Sequence, residues 1–94
     1  MVEAIRTLAA KTRALAHEGA PHGVTVNGIA PGPVETDLLA GLSEEWRKMK
    51  QAQLPIGRFG QVGEIAPTAL LLASDEGSFF VGQTLSPNGG DVMV

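Results

Sequence analysis

The sequence predicts an α/β fold with a parallel strand pair, on three observations. A helix-period segment precedes the short β-rich run "VTVNGIA"; further helix-period segments follow it; and a second β-type run, "GQTLS", comes near the end. Because helices separate the two runs, the strands pair in parallel through a right-handed crossover. Two parallel strands do not make a stable sheet, so the expectation is part of a larger one.

Each element has its own signals. In "VEAIRTLAAKTRALAHEGAPHG", Ile5, Leu8, Thr12 and Leu15 fall near helical spacing, with alanines filling the same face. Arg6, Lys11, Arg13 and Glu18 lie off that face, and Gly19 and Pro21 supply the stop. Val24 to Ala30 reads as a buried strand closed by Pro31 and Gly32. "VETDLLAGL" is a turn and a short helix opened by Thr36. "SEEWRKMKQAQ" is a small amphipathic helix, with Ser43 as N-cap and Glu44 and Glu45 complementing the helix dipole. "LPIGRFGQVG" is a loop, and "EIAPTALLLAS" is a helix with Ile65, Ala69 and Leu72 or Ala73 inward. Pro67 sits early enough in it to be tolerated. The last strand runs from about Gly82 to Ser86 and ends at Pro87 and the turn-prone Asn88-Gly89-Gly90.

Composition narrows the function. Ninety-four residues make one small domain, and 44% apolar with 18% charged residues is a globular balance. A net charge of −3 gives no reason to expect nucleic acid or an anionic membrane. No apolar run approaches the roughly 18 residues that span a bilayer, and no basic segment followed by an apolar one marks a signal peptide. Cys is absent, which removes disulfides, thiolate metal sites and cysteine nucleophiles and fits a cytoplasmic location. Tyr is absent as well.

The chemistry-bearing stretch is "NGIAPGPVETD", Asn27 to Asp37. Alone, Pro31-Gly32-Pro33 is a rigid loop. At the carboxyl end of a parallel strand it is also where ligands bind in open sheets. Gly32 offers no Cβ against a flat ring, and Thr36 offers a hydroxyl at a helix start, suited to a phosphate oxygen.

Together, "RALAHEGAPHGVTVNGIAPGPVETD" and "RFGQVGEIAPTALLLASDEGSFFVGQTLSPNGG" resemble the C-terminal part of a short-chain dehydrogenase/reductase, nearest to 3-oxoacyl-[acyl-carrier-protein] reductase-like members. The resemblance runs from about Thr12 to Gly90 and implies the C-terminal portion of a Rossmann-type doubly wound parallel sheet: residues 1–94 of a single domain binding NAD or NADP. It implies hydride transfer between that cofactor and a small-molecule carbonyl or alcohol, in a homotetramer. By position, Pro31 and Gly32 match the element beside the nicotinamide. Val34 matches the residue whose backbone meets the carboxamide, and Thr36 the hydroxyl near carboxamide and diphosphate. Residues 37–53 would be a substrate lid, with Leu38, Leu39, Leu42, Trp46 and Met49 as its apolar residues.

The family's Gly-rich turn, its catalytic serine and asparagine segments and its Tyr-x-x-x-Lys pair have no counterpart in these residues. Counted back from Asn27, the lysine of that pair falls at Ile5 and the tyrosine at Met1; neither side chain is an acid or base. No catalytic residue is therefore assigned, and the chain alone is expected to be inactive. Two alternatives stand beside the enzyme reading: an interaction module docking on an intact relative, and a remnant without function.

The remaining candidates have plainer readings. His17 and His22 read as surface or capping residues, with no metal site. Glu44, Glu45, Arg47, Lys48 and Lys50 read as a solvated helix face. Trp46 reads as a lid packing residue, and Phe79 and Phe80 as core or subunit interface.

Overall fold

The computed structural model describes residues 2–93. Helix α1 (Val2–Gly19) leads through a 3-10 turn, Ala20–His22, to strand β1 (Gly28–Ile29). Then come α2 (Asp37–Ala40), α3 (Glu44–Gln53), α4 (Val62–Ala73), a 3-10 turn at Asp75–Gly77, and strand β2 (Thr84–Leu85). The strands are parallel, with Gly28 opposite Thr84 and Ile29 opposite Leu85. The α/β class and the strand direction follow the sequence reading.

Both strands are shorter than predicted. Regular pairing covers two residues in each, not Val24–Ala30 and Gly82–Ser86. Rungs continue beyond them on one side of the strand: Val26 O accepts from Gly82 N at 2.9 Å, Ala30 N donates to Leu85 O at 2.9 Å, and Gly32 N donates to Pro87 O at 3.2 Å. Backbone groups alternate in direction along a strand. Val26, Gly28 and Ala30 therefore face β2, and Asn27 and Ile29 face the opposite edge, where their backbone groups meet no partner among the described residues. The Asn27 side chain strengthens the paired side, donating to Phe80 O and accepting from Gln83 N.

Helix α1 packs on this ribbon through small residues. A Cβ on Gly28 would sit 3.0 Å from Thr12 Oγ1, and one on Gly82 would sit 3.3 Å from the Ala16 Cβ. That close approach buries Thr12 and Ala16. On the same helix Leu15 is 54% exposed, while Ile5 and Leu8 are half-buried. A second cluster joins buried Leu39, Leu54 and Phe59, with Trp46 packed against it.

Helix α4 starts at Val62 rather than Glu64, through a capping box in which Gln61 and Glu64 satisfy each other's free backbone N–H groups. None of its residues is buried. Ala69 and Ala73, predicted inward, are exposed, and Ile65, Leu71 and Leu72 only half-buried. Phe79, read as core or interface, is 99% exposed and so outside any core of this chain.

The chain is expanded for its length. Its radius of gyration is 15.2 Å, against about 12 Å for a compact domain of this size. Its surface is 6397 Å², against roughly 5,200 Å² for a folded monomer of this mass. The open edge of β1 and the exposed Val62 and Leu70 of α4 are where the excess is legible.

Candidate functional site

The segment after β1 is positioned from two sides. Asn88 backs Gly32 so closely that a Cβ there would stand 2.5 Å from the Asn88 Cβ. Glycine at this position is thus required by the neighbouring turn. Asn88 is itself fixed: its Nδ2 donates to Ser86 Oγ and Val92 O, and its Oδ1 accepts from Gly90 N. Further along, Val34 forms a parallel bridge with Gly60. Gly60 N donates to Pro33 O at 2.9 Å, and Glu35 N donates to Gly60 O at 2.8 Å.

That bridge uses the groups on either side of Val34, not its own. In extended backbone the Val34 N–H and C=O point away from Gly60, and among the described residues they have no backbone partner. Val34 lines a shallow groove together with Pro31, Gly32, Thr36, Leu38, Leu39 and Leu42. All four residues predicted for the cofactor thus line one surface with three of the five predicted for the lid. Thr36 caps α2, its Oγ1 accepting from Leu39 N at 3.4 Å.

The other two lid candidates lie elsewhere. Trp46 stacks on Phe59 with ring centroids 6.4 Å apart, which is the packing role the sequence suggested. Met49 is exposed on α3 and outside the groove. Within the groove Leu38 is 83% exposed and Leu42 is exposed, whereas Leu39 turns into the core cluster.

The helix-face reading of α3 holds for Glu44, Glu45 and Lys48 and is corrected for two residues. Arg47 Nη2 donates to both Glu35 oxygens, at 2.8 and 3.1 Å, and Nη1 donates to Leu39 O at 2.9 Å. Its guanidinium also stands 5.1 Å from the Phe59 ring centroid. Lys50 Nζ donates to Asp91 Oδ1 at 2.8 Å, where the Asp91 side chain is only 8% exposed and its Oδ2 has no partner. Neither pair has a signal in the sequence, because α2 and a turn separate Glu35 from Arg47, and Asp91 lies 41 residues beyond Lys50. The capping glutamate has a signature in the sequence, Gln61-x-x-Glu64. Arg58 grips the Glu64 carboxylate with both terminal nitrogens, and the Gln61 N–H adds a further bond. Together they hold its pKa down at about 2.

His17 and His22 are exposed, and among the described residues no cluster of side chains suits a metal ion. Nor is any helix among them long and apolar enough to cross a membrane. The positions matched to the family's acid/base pair divide: Ile5 lies half-buried on α1, and Met1 lies outside the described residues.

Known proteins share this arrangement. A family model described as enoyl-(acyl carrier protein) reductase matches residues 2–91. The 3-oxoacyl-[acyl-carrier-protein] reductase of Salmonella typhimurium is 48% identical over 83 residues, which are 88% of this chain and 34% of that protein. A glucose and ribitol dehydrogenase homolog of Oryza sativa is 46% identical over 87 residues, 92% of this chain and 29% of that protein. The crystal structure of a 3-oxoacyl-[acyl-carrier protein] reductase from Brucella melitensis superposes with a TM-score of 0.90 at 37% identity, covering 95% of this chain and 33% of that one. The chain thus spans about a third of the length of the relatives it matches. With the family match running from α1 to Asp91, the chain belongs to the short-chain dehydrogenase/reductase family.

Proposed function

We propose that these residues form the nicotinamide-side and lid portion of an NAD- or NADP-dependent oxidoreductase that reduces a carbonyl or oxidises an alcohol. The observation that carries this reading is the backbone of Val34, whose N–H and C=O have no backbone partner among the described residues. A primary carboxamide has one acceptor oxygen and two N–H donors, and the Val34 N–H and C=O are the complementary pair. Both belong to the strand end that lines the groove with Gly32 and Thr36.

In this reading the nicotinamide, when bound, supplies or takes up the hydride, and the chain's residues hold it. Pro31 and Gly32 form the wall beside the ring. Thr36 Oγ1 accepts only one long bond from Leu39 N, which leaves its proton free for a ligand oxygen. Leu38 and Leu42 present apolar side chains across the groove and set the character of the substrate end. Residues 37–53 then act as the lid, within a domain to which residues 1–94 contribute the C-terminal part.

The 94 residues contain no Tyr, and Ile5 cannot lower the pKa of an acid as an ammonium would. Acid/base chemistry must therefore come from a segment outside this chain, and the chain alone is proposed to be inactive. A cytoplasmic homotetramer is the setting proposed for the complete protein. The open β1 edge also favours a second reading, an interaction module docking on an intact relative.

The test is a fusion protein joining the amino-terminal two-thirds of the Escherichia coli 3-oxoacyl-[acyl-carrier-protein] reductase, 47% identical to this chain over 83 residues, to this chain. The expected result is oxidation of reduced nicotinamide cofactor with an acetoacetyl thioester, and none from the chain alone. A folded fusion that binds cofactor without turnover would favour the interaction module.

A further inference from the structure

We infer that Arg47 is a positioning residue for the groove, holding the Val34–Thr36 strand end and α2 in one fixed arrangement from behind; this rests on the reading of the groove as the nicotinamide site. Arg47 does not line the groove. It lies on α3, and its guanidinium reaches three separate parts of the structure around the groove. It binds Glu35 with both carboxylate oxygens at 2.8 and 3.1 Å, one residue from Val34. It binds the Leu39 carbonyl at 2.9 Å, inside α2. It stands 5.1 Å from the centroid of the Phe59 ring, one residue from Gly60, and Gly60 is the residue that pairs with the strand on both sides of Val34.

These contacts form a closed circuit. Gly60 fixes the strand through Pro33 and Glu35, Glu35 is held by Arg47, and Arg47 is held over Phe59, the neighbour of Gly60 in the chain. Rotation of the strand about its axis, which would turn the Val34 N–H and C=O, breaks the Glu35–Arg47 contact together with the Gly60 bonds. The Leu39 contact ties α2 to the same group and so sets the height of Leu38 and Leu42 over the groove.

An ordinary surface ion pair would contribute little. This one differs in that Nη2 reaches both Glu35 oxygens while Nη1 binds a backbone carbonyl, with the Arg47 side chain only 22% exposed and an aromatic face beside it. The planar guanidinium meets the carboxylate and the carbonyl with two separate nitrogens, where an ammonium has a single one. Charge alone therefore does not fill the role, which separates positioning from simple electrostatic support.

The experiment compares Arg47→Lys and Arg47→Met with the unaltered chain by amide hydrogen exchange, with the emission of Trp46, the single tryptophan, as a second readout. Both variants should accelerate exchange at residues 35–42 at least tenfold and shift Trp46 emission to the red, while exchange within α1 is unchanged. Unaltered exchange at 35–42 in Arg47→Met, or full rescue by Arg47→Lys, overturns the inference. So does a segment that exchanges freely before any substitution. In the fusion protein both variants should lower kcat about tenfold or more, with adenosine diphosphate ribose bound as before. A fusion without turnover when unaltered overturns the nicotinamide reading itself. A fusion that turns over equally well with Arg47→Met overturns the role of Arg47 alone.

Discussion

Gly32 and Asn88 approach so closely that a Cβ on Gly32 would stand 2.5 Å from the Asn88 Cβ and 2.6 Å from its Cα. The carboxyl end of β1 is therefore shaped from behind by the turn that follows β2. The Gly32 N–H to Pro87 O bond joins the same two segments.

Gly32→Ala should consequently act through Asn88. The atoms met are a backbone carbon and the first side-chain carbon, which cannot swing aside, so the turn must move. Overpacking of this kind costs about 1–3 kcal/mol. In the fusion protein the variant should melt several degrees lower and bind cofactor more weakly. Gly63→Ala is the control: no atom lies within 4 Å of its Cβ position, and inside α4 the change should add about 0.4–1 kcal/mol. Thermal melts of both variants, with cofactor titration of the first, check the pair.

Lys50 and Asp91 form the most enclosed ion pair of the chain's described residues. Lys50→Met leaves the Asp91 carboxylate largely buried with no partner, and Oδ2 already has none. The expected loss is about 3 kcal/mol, the low end for a broken buried pair because Lys50 retains some solvent. Replacing both partners, Lys50→Met with Asp91→Leu, should restore most of it. Urea unfolding of the fusion protein distinguishes the outcomes, and equal losses in the single and double variants would contradict the account.

The Glu64 cap of α4 should respond to acid. Arg58 first, and then the Gln61 N–H, lower its pKa from an ordinary value near 4.5 to about 2. A depressed carboxylate stabilises the folded form fully above its ordinary value and loses that contribution as pH falls through the folded one. The first turn of α4 should therefore hold at pH 5 and loosen between about 4.5 and 2. Carboxyl NMR of Glu64 should report a midpoint near 2, and Glu64→Gln should show no transition in that window. A midpoint at the ordinary value would mean that the cap does not form.

The Asn27 and Ile29 backbone groups face an open edge, and no residue of α4 is fully buried. Unpaired edges recruit other strands, and bare apolar faces recruit partners. The isolated chain should therefore self-associate at micromolar concentration in a sedimentation experiment. Addition of the amino-terminal segment of a relative should replace those contacts with a defined complex. A compact monomer would contradict this.

Local physics was legible in the sequence. Ser43 and Thr36 as caps, the turn at Pro31 and Gly32, and the parallel strands all depend on near neighbours or on chain order. The four predicted cofactor residues also line one groove, because they lie within six residues on one strand end. What escaped depends on distant segments. Ala69 and Ala73 are exposed because α4 is covered only in part, along the face of Ile65, Leu71 and Leu72. Arg47 and Lys50 looked like solvated charges because their partners, Glu35 and Asp91, are brought to them only by the fold.

The Val34 backbone carries the central claim, so its amide is the measurement to make. In the isotopically labelled fusion protein, titration with reduced nicotinamide cofactor should move the Val34 N–H resonance downfield and slow its exchange with solvent. The Gly60 N–H, already bonded to Pro33 O, should scarcely change. The analogue with a carboxylate in place of the carboxamide offers no N–H to the Val34 carbonyl and should bind more weakly. A Val34 amide that is unmoved by saturating cofactor would contradict the account, leaving the groove as a turn beside a strand and nothing more.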